Sequence, residues 1–202
     1  MELRFVYAFD RQFYAMQFKP GPHETVPFVR ELRFWGVDRQ PCTSLSTMAA
    51  LIALKHHPMA QLTLNGIAMN APVCSALQQH FGVEIHPARY EADRRELLGG
   101  EKTVAPIRFA HGRDQAWPGG GEVLNWISLD DLHGPLSGNV RTNIDAFDLS
   151  ESEKNLIVAL CCAGKHIGHI MLAGGTPGLA QLLHRLGLEL IDGPTEALTE
   201  IG

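Results

Sequence analysis

The feature that most constrains the fold is an alternation of short apolar strands and amphipathic helices, joined by connections of only a few residues. Residues 28–85 predict a strand, a helix, a strand, a helix and a strand. Parallel strands need a crossover to return the chain to the same edge, and a helix is the usual crossover. The alternation therefore predicts a Rossmann-like α/β fold, a three-layer sandwich with a mostly parallel, doubly wound sheet.

The segment 150–192 repeats this order as helix, strand, helix and strand. Its first helix begins with a capping box, Ser150 followed by Glu153 three residues later, and its second begins with the pair Thr176-Pro177. The match with 28–85 favours two related βαβαβ halves. Helix–glycine–strand junctions also recur by chance in α/β proteins, so the sequence leaves both origins open.

The rest of the chain is expected to add to one α/β domain spanning residues 1–202. Residues 1–20 are aromatic-rich with partial alternation, which predicts an N-terminal β hairpin. Residues 112–149 are rich in glycine and aspartate and weakly patterned, so they predict an irregular excursion or lid. With 202 residues, 45% of them hydrophobic, the chain is long enough to bury a core without disulfides or metals.

Charge and cysteine content argue against several classes of partner. A net charge of −5, with Lys and Arg scattered along the chain, provides no basic surface for nucleic acid. No window approaches the roughly 18 consecutive apolar residues of a membrane span, and the first residues lack the apolar stretch of a signal peptide. Four cysteines, two of them adjacent, do not form a spaced disulfide framework. We therefore expect a cytoplasmic protein without a nucleic-acid or membrane partner, and a homo-oligomer is compatible with the sequence.

The segment 157–175 concentrates two types of metal ligand. Cys161, Cys162, His166 and His169 lie within nine positions, yet the cysteines are adjacent on a predicted helix and diverge by about 100°. The histidines are three apart on a predicted strand, so they face opposite sides of a sheet. The pattern predicts buried packing residues and no metal site.

Candidate ligand-binding residues lie where strands lead into helices, because ligands of open α/β sheets bind beyond the carboxyl ends of the strands, and we expect these ends to share one edge of the parallel sheet. Hydroxyls cluster in the segment 35–47, which follows a strand and leads into the next helix, and two glycines precede the helix that follows Thr176. Helix N-termini favour anions, although capping and tight turns account for the same residue types. The candidates are Asp38, Arg39, Thr43, Ser44, Ser46, Asn65, Gly174, Gly175 and Thr176.

A second polar set occurs within the weakly patterned region, where it could orient a small polar molecule. It comprises Asn139, Arg141, Thr142, Asn143 and Asp145. No nucleophile can be matched with a base from the sequence, and no complete catalytic or cofactor motif is present. Catalytic residues and cofactor therefore stay unassigned.

Two functional hypotheses follow. The first is a cytosolic enzyme or binding protein for a small anionic or nucleotide-like ligand, held at strand carboxyl ends and helix N-termini. The alternative is a non-catalytic interaction or assembly protein on a degenerate α/β scaffold, in which Trp35, Trp117 and Trp126 would meet a partner. Ligand-induced thermal stabilisation distinguishes the two.

Overall fold

A computed structural model describes residues 1–37, 41–91, 101–108, 122–129, 139–164, 167–172, 174 and 176–192. These residues form one ten-stranded sheet and four α-helices. The strands are β1 (Glu2–Ala8), β2 (Phe13–Lys19), β3 (Glu31–Trp35), β4 (Gln61–Asn70), β5 (Glu84–Glu91), β6 (Lys102–Arg108), β7 (Glu122–Ser128), β8 (Val140–Thr142), β9 (Ile167–Leu172) and β10 (Glu189–Asp192). The helices are α1 (Thr43–Ala53), α2 (Ala71–Phe81), α3 (Glu151–Cys162) and α4 (Pro177–Arg185).

The sheet runs in the order β10-β9-β6-β7-β8-β3-β2-β1-β4-β5. Its pairs are parallel from β10 to β8 and from β1 to β5. Three antiparallel pairs, β1–β2, β2–β3 and β3–β8, join these two parallel blocks. The prediction of an α/β fold with a mostly parallel sheet is confirmed, and strands β3, β4 and β5 run opposite to β9 and β10.

Helices α1 and α3 form the centre of the molecule. Every residue from Ser44 to Ile52 and every residue from Asn155 to Cys162 is buried. A helix that is buried on all sides lies inside a protein rather than on its surface. The two helices pack on each other, and α3 also packs on β6 and β9 while α1 packs on β4.

The sheet curves around this central pair. Helix α2 packs on β4 and β5 at one edge and α4 packs on β10 at the other, yet α2 and α4 contact each other. Arg185 of α4 donates a hydrogen bond of 3.2 Å to Gln79 of α2. Ten strands laid flat would span roughly 40 Å at about 4.8 Å per strand, too far for such a contact.

Alternation on β3 and β4 shows which side the helices cover. Leu32, Leu62 and Leu64 are buried, whereas the intervening Arg33 and Thr63 are exposed. The four helices of the described residues form one connected layer through the contacts α3–α1, α1–α2 and α2–α4. A second helical layer is not among these residues, so the three-layer, doubly wound arrangement stays a prediction.

Part of the region expected to be irregular is regular. Within 112–149 the structure contains β7, β8 and a single 3-10 turn at Ile144–Ala146, and both strands lie in the interior of the sheet. The expectation of an irregular excursion was therefore wrong for these residues. Strands buried on both faces read as short apolar runs without alternation, and Trp126-Ile127 is such a run. Residues 112–121 and 130–138 lie outside the described residues.

The two halves of the chain share an order of elements. Each half contains three strands, a helix, a strand, a helix and a strand. Read from its two edges inward, the sheet is β5-β4-β1-β2-β3 and β10-β9-β6-β7-β8, so equivalent strands hold equivalent places. The halves differ at one strand, because β2 is antiparallel to β1 whereas β7 is parallel to β6.

Candidate functional site

The candidate ligand-binding residues do not gather at one edge of the sheet. Thr43 begins α1, which follows the carboxyl end of β3, whereas Gly174 follows the carboxyl end of β9. Because β3 and β9 run in opposite directions, these ends lie at opposite edges. The sequence expectation of one shared edge was wrong, since hydrophobic periodicity shows that a strand exists but carries no information about its direction relative to a distant strand.

Two of the three candidate hydroxyl residues at the start of α1 face the core. Thr43 is exposed, but Ser44 and Ser46 are buried, and Ser46 lies beside the Cys161 thiol of α3 and the Tyr14 hydroxyl of β2. Cys42 holds the N-cap position, and no side-chain capping bond is seen there in the described part of the chain. Small residues at this position allow α1 and α3 to approach closely, which accounts for their presence without a ligand.

The remaining candidates are separated from one another. Asn65 is exposed in the middle of β4 and donates a hydrogen bond to Glu2. Gly174 has φ +83°, and a Cβ built on it would lie 2.9 Å from the Ser152 hydroxyl, so this backbone passes directly beside the start of α3. Thr176 precedes α4. Asp38, Arg39 and Gly175 lie outside the described residues.

The cysteines of the 157–175 segment are packing residues. Cys161 and Cys162 are buried in α3, and burial raises the pKa of the Cys161 thiol well above its ordinary value, although the neighbouring Ser46 hydroxyl lowers it in part. His169 lies on β9 with Nε2 3.5 Å from a Glu189 carboxylate oxygen. His166 lies outside the described residues, among which no group of three potential ligands is placed to hold a metal ion.

A compact set of charged and polar side chains lies at the carboxyl edge of β6, β7 and β8, under the first turns of α3. We call it the carboxyl-edge cluster: Arg108, Trp126, Ser128, Asp145, Glu151, Lys154 and Asn155. Arg108 is the last residue of β6, and its register partner on β7 is Trp126. Residues of a strand two apart face the same side of the sheet, so Ser128 shares the face of Trp126 toward α3.

Asp145 connects the two cations of the cluster. Its Oδ2 accepts a hydrogen bond of 2.8 Å from Arg108 Nη2, and its Oδ1 accepts one of 2.7 Å from Lys154 Nζ. Glu151 lies farther away, with one oxygen 3.6 Å from Arg108 Nη1 and 3.7 Å from Lys154 Nζ. Both Glu151 distances exceed a hydrogen bond. The two positive groups are thus held side by side by one carboxylate.

The environment keeps Asp145 ionised. Burial alone would raise the pKa of its carboxyl, but hydrogen bonds from Lys154 and Ser128 and the charge of Arg108 together lower the pKa below its usual range. The side chains of Asp145 and Lys154 are only 18% and 15% exposed, whereas the side chain of Arg108 is 35% exposed. Arg108 is therefore the more exposed of the two cations.

Trp126 forms the floor of the cluster. It has no exposed surface, its Nε1–H donates a 2.6 Å hydrogen bond to Asn155 Oδ1, and the Arg108 guanidinium lies 5.2 Å from its ring centre. A fully covered indole cannot serve as a docking surface, so the proposal that Trp126 meets a partner was wrong. Trp35 is half-buried against Phe13, with ring centres 5.1 Å apart, and Trp117 lies outside the described residues.

The polar set read from the sequence at 139–145 divides between roles. Asp145 belongs to the cluster, whereas Asn143 holds the start of β3 by accepting from Arg33 N at 2.7 Å and donating to Glu31 O at 2.8 Å. Thr142 is fully buried on β8. Arg108, Lys154 and Glu151 were not predicted from the sequence. Two sequence signals for these residues were available. One is the charged residue at the end of an apolar strand, and the other is the group of charged residues in the first turn of a capped helix.

The cluster lies where two neighbouring strands send the chain in opposite directions. Strands β6 and β9 are neighbours in the sheet. From β6 the chain continues to β7, on one side of this pair, and from β9 it continues to β10, on the other side. Such switch points are where α/β sheets bind ligands. Arg108 ends β6 and Gly174 follows β9 at this same edge.

Comparison with protein-family models, curated proteins and solved structures finds no match for this chain. Among the helices of the described residues, none is long and apolar enough to cross a membrane.

Proposed function

We propose that this protein binds a small anionic or nucleotide-like ligand at the carboxyl-edge cluster, with Arg108 and Lys154 holding its negatively charged group. The observation that carries the proposal is the pair of cations held side by side by Asp145 at a strand switch point. A guanidinium has five N–H donors in a fixed fork that fits the oxygens of phosphate and carboxylate.

We propose that an anionic oxygen of the ligand takes the place of the Glu151 carboxylate beside both cations. Glu151 approaches Arg108 and Lys154 only to 3.6 and 3.7 Å, so an oxygen of a ligand that replaced it would form shorter contacts. The positive end of the α3 dipole adds a favourable field at the same edge. Because Trp126 is covered by Arg108, the site is expected to recognise the charged group rather than to stack a base.

Gly174 supports approach from the β9 side. Its backbone passes beside Ser152 at the start of α3 with no side chain of its own, as close contact between a ligand and backbone amides requires. Thr176, at the start of α4, follows on the same connection. Of the residues proposed from the sequence, these two are retained in the ligand site, and Gly175 between them is proposed with them.

Two finer statements belong to the same proposal. All four cysteines of the chain are buried free thiols, which supports a cytoplasmic setting where thiols stay reduced. The repeated order of elements and sheet positions supports an origin of the two halves from one duplicated unit.

The test compares ligand binding in the wild type and in two arginine variants. Arg108→Gln removes the more exposed cation of the cluster, whereas Arg185→Gln removes an exposed arginine of α4 that donates a hydrogen bond to Gln79. Thermal shift and calorimetry with inorganic phosphate, pyrophosphate, ATP and acyl-CoA should show stabilisation that grows with ligand concentration. Affinity should fall at least about tenfold in Arg108→Gln, the effect of losing roughly 1.4 kcal/mol, and stay unchanged in Arg185→Gln. Equal binding by all three proteins, or by none, would contradict the proposal.

A non-catalytic interaction protein is the second candidate function. The observation that favours it is a fully exposed phenylalanine, Phe28, at a distance in sequence from every residue of the carboxyl-edge cluster.

A further inference from the structure

Glu151 is held much more loosely than Asp145, the other carboxylate of the carboxyl-edge cluster. Each oxygen of Asp145 accepts a hydrogen bond, one of 2.8 Å from Arg108 and one of 2.7 Å from Lys154. Glu151 approaches the same two cations with Oε2 alone, at 3.6 and 3.7 Å, and both distances are too long for a hydrogen bond. Glu151 therefore adds charge to the cluster without a hydrogen bond to either cation.

The second oxygen of Glu151 is also poorly placed. Oε1 is buried and has no hydrogen-bond partner among the described residues. A buried carboxylate oxygen that accepts no hydrogen bond has lost its hydration without compensation, which makes this position of the side chain unfavourable. The side chain as a whole is 42% exposed, so rotation about its own bonds can carry the carboxylate into water.

The start of α3 does not depend on the Glu151 side chain. Glu151 is the first residue of the helix, but the capping box that fixes this helix end is formed by Ser150 and Glu153. Glu153 also accepts a hydrogen bond of 2.6 Å from Lys55 Nζ at the end of α1. The Glu151 side chain can therefore turn outward while the helix start stays in place.

We propose that Glu151 regulates the anion site: its carboxylate competes with the ligand for the position beside Arg108 and Lys154 and so lowers the affinity of the site. This inference rests on the proposed function. Two anionic oxygens cannot share the position between the two cations, because like charges repel strongly at contact distance. The apparent affinity is then reduced by the fraction of molecules in which Glu151 occupies that position.

The charges of the cluster agree with this role. Arg108 and Lys154 carry two positive charges, and Asp145 neutralises one of them through direct hydrogen bonds. The remaining positive charge faces Glu151. A singly charged group that replaces Glu151 keeps the cluster neutral, whereas one that bound beside it would leave a net negative charge. Displacement of Glu151 is therefore favoured over binding next to it.

The experiment measures the dissociation constant of inorganic phosphate by calorimetry in the full chain and in three variants. Glu151→Gln removes the charge. Glu151→Asp keeps the charge but shortens the side chain by one methylene, which withdraws the carboxylate from both cations. Glu189→Gln is the matched control, because Glu189 begins β10 at the opposite edge of the sheet, where its carboxylate lies 3.5 Å from His169. Circular dichroism checks that every variant is folded.

Both Glu151 variants should bind phosphate more tightly than the wild type. Their dissociation constants should fall about two- to fivefold, the range expected when one partly exposed ion pair stops competing. Glu189→Gln should leave the dissociation constant unchanged. Glu151→Asp separates competition for one position from a general effect of negative charge, because a carboxylate that acts only through its long-range field keeps most of its effect after a retraction of one methylene.

Two results would overturn the inference: an unchanged dissociation constant in Glu151→Gln, or a Glu151→Asp variant that binds phosphate no better than the wild type. Arg108→Gln distinguishes these results from a failure of the site itself. Phosphate binding that is lost in Arg108→Gln but insensitive to Glu151 would refute the competition alone and leave the proposed function standing. Absence of phosphate binding in both the wild type and Glu151→Gln would refute both.

Discussion

Replacement of Trp126 by phenylalanine tests whether the floor of the cluster is built as described. The Trp126 Nε1–H donates to Asn155 Oδ1 at 2.6 Å, and neither residue is accessible to a replacement water. Loss of the donor leaves a buried amide oxygen unpaired, which costs about 1–3 kcal/mol. The smaller ring leaves a cavity of roughly 40 Å³, which at about 24 cal/mol per Å³ costs about 1 kcal/mol more. Trp126→Phe should therefore lower the free energy of unfolding by about 2–4 kcal/mol.

The assay is urea unfolding followed by circular dichroism, with two further variants. Trp35→Phe is the matched control: Trp35 packs on Phe13 and is half-buried, so its replacement should cost less than about 1 kcal/mol. The double variant Trp126→Phe/Asn155→Leu removes both hydrogen-bonding partners. It should be more stable than the sum of the single variants predicts by about 1–2 kcal/mol, since no polar atom is then left unpaired.

Two results would refute this reasoning. The first is a Trp126→Phe variant within about 0.5 kcal/mol of the wild type, which would mean that the indole is not enclosed. The second is strict additivity in the double variant, which would mean that Trp126 and Asn155 do not contact each other.

Three further predictions concern the backbone, the core and the charge of the cluster. Gly36→Ala should lower the free energy of unfolding by at least about 1 kcal/mol more than Gly66→Ala does. Both glycines have positive φ, but of the two only Gly36 would place a Cβ against a backbone atom, 2.7 Å from Asn139 O. Equal unfolding free energies of the two variants would contradict this prediction. Ser46→Ala should keep or raise the free energy of unfolding, because the Ser46 hydroxyl is fully buried and has no hydrogen-bond partner among the described residues. A decrease of more than about 1 kcal/mol would show that the hydroxyl forms a stabilising hydrogen bond. Because the pKa of Asp145 is lowered by folding, its stabilisation is present above about pH 4, the ordinary carboxyl pKa, and is lost as pH falls through the folded value; Asp145→Asn should flatten the decline of unfolding free energy in that range, and an unchanged slope would argue against the ion pairs.

Local elements were predictable because short-range chemistry determines them. The capping box at Ser150 and Glu153 is present, with the Ser150 hydroxyl accepting from Glu153 N and the Glu153 carboxylate accepting from Ser150 N. Gly82 ends α2 in the left-handed conformation that a C-terminal glycine favours. Each of these features depends on residues three or four positions apart, which the sequence displays directly.

Strand direction was not predictable in the same way. Phe34 pairs with Thr142 across the β3–β8 junction, a contact between residues far apart in the sequence, and this antiparallel pair reverses one parallel block relative to the other. Nothing in the alternation around Phe34 indicates which strand it will meet. The candidate site expected from Ser44 and Gly174 together was lost for this reason, since the two residues belong to opposite edges.

The carboxyl-edge cluster was missed because its members come from four separate segments. Arg108 ends a strand, Asp145 lies in a 3-10 turn, and Lys154 lies on the first turns of α3. Singly, each reads as a solvated charge, the commoner state of such residues. Only the crossover of the chain from β8 through α3 to β9 brings the three charges together.

The most direct test of the ligand site is a nuclear magnetic resonance titration of the indole N–H groups. The chain has three tryptophans, so three indole cross peaks are expected, and Trp126→Phe identifies the one that lies beneath Arg108. Addition of inorganic phosphate should move the Trp126 peak saturably in the wild type and leave it in place in Arg108→Gln. A Trp126 peak that does not move at any phosphate or nucleotide concentration, or that moves equally in both proteins, would contradict the proposal that an anion binds at Arg108.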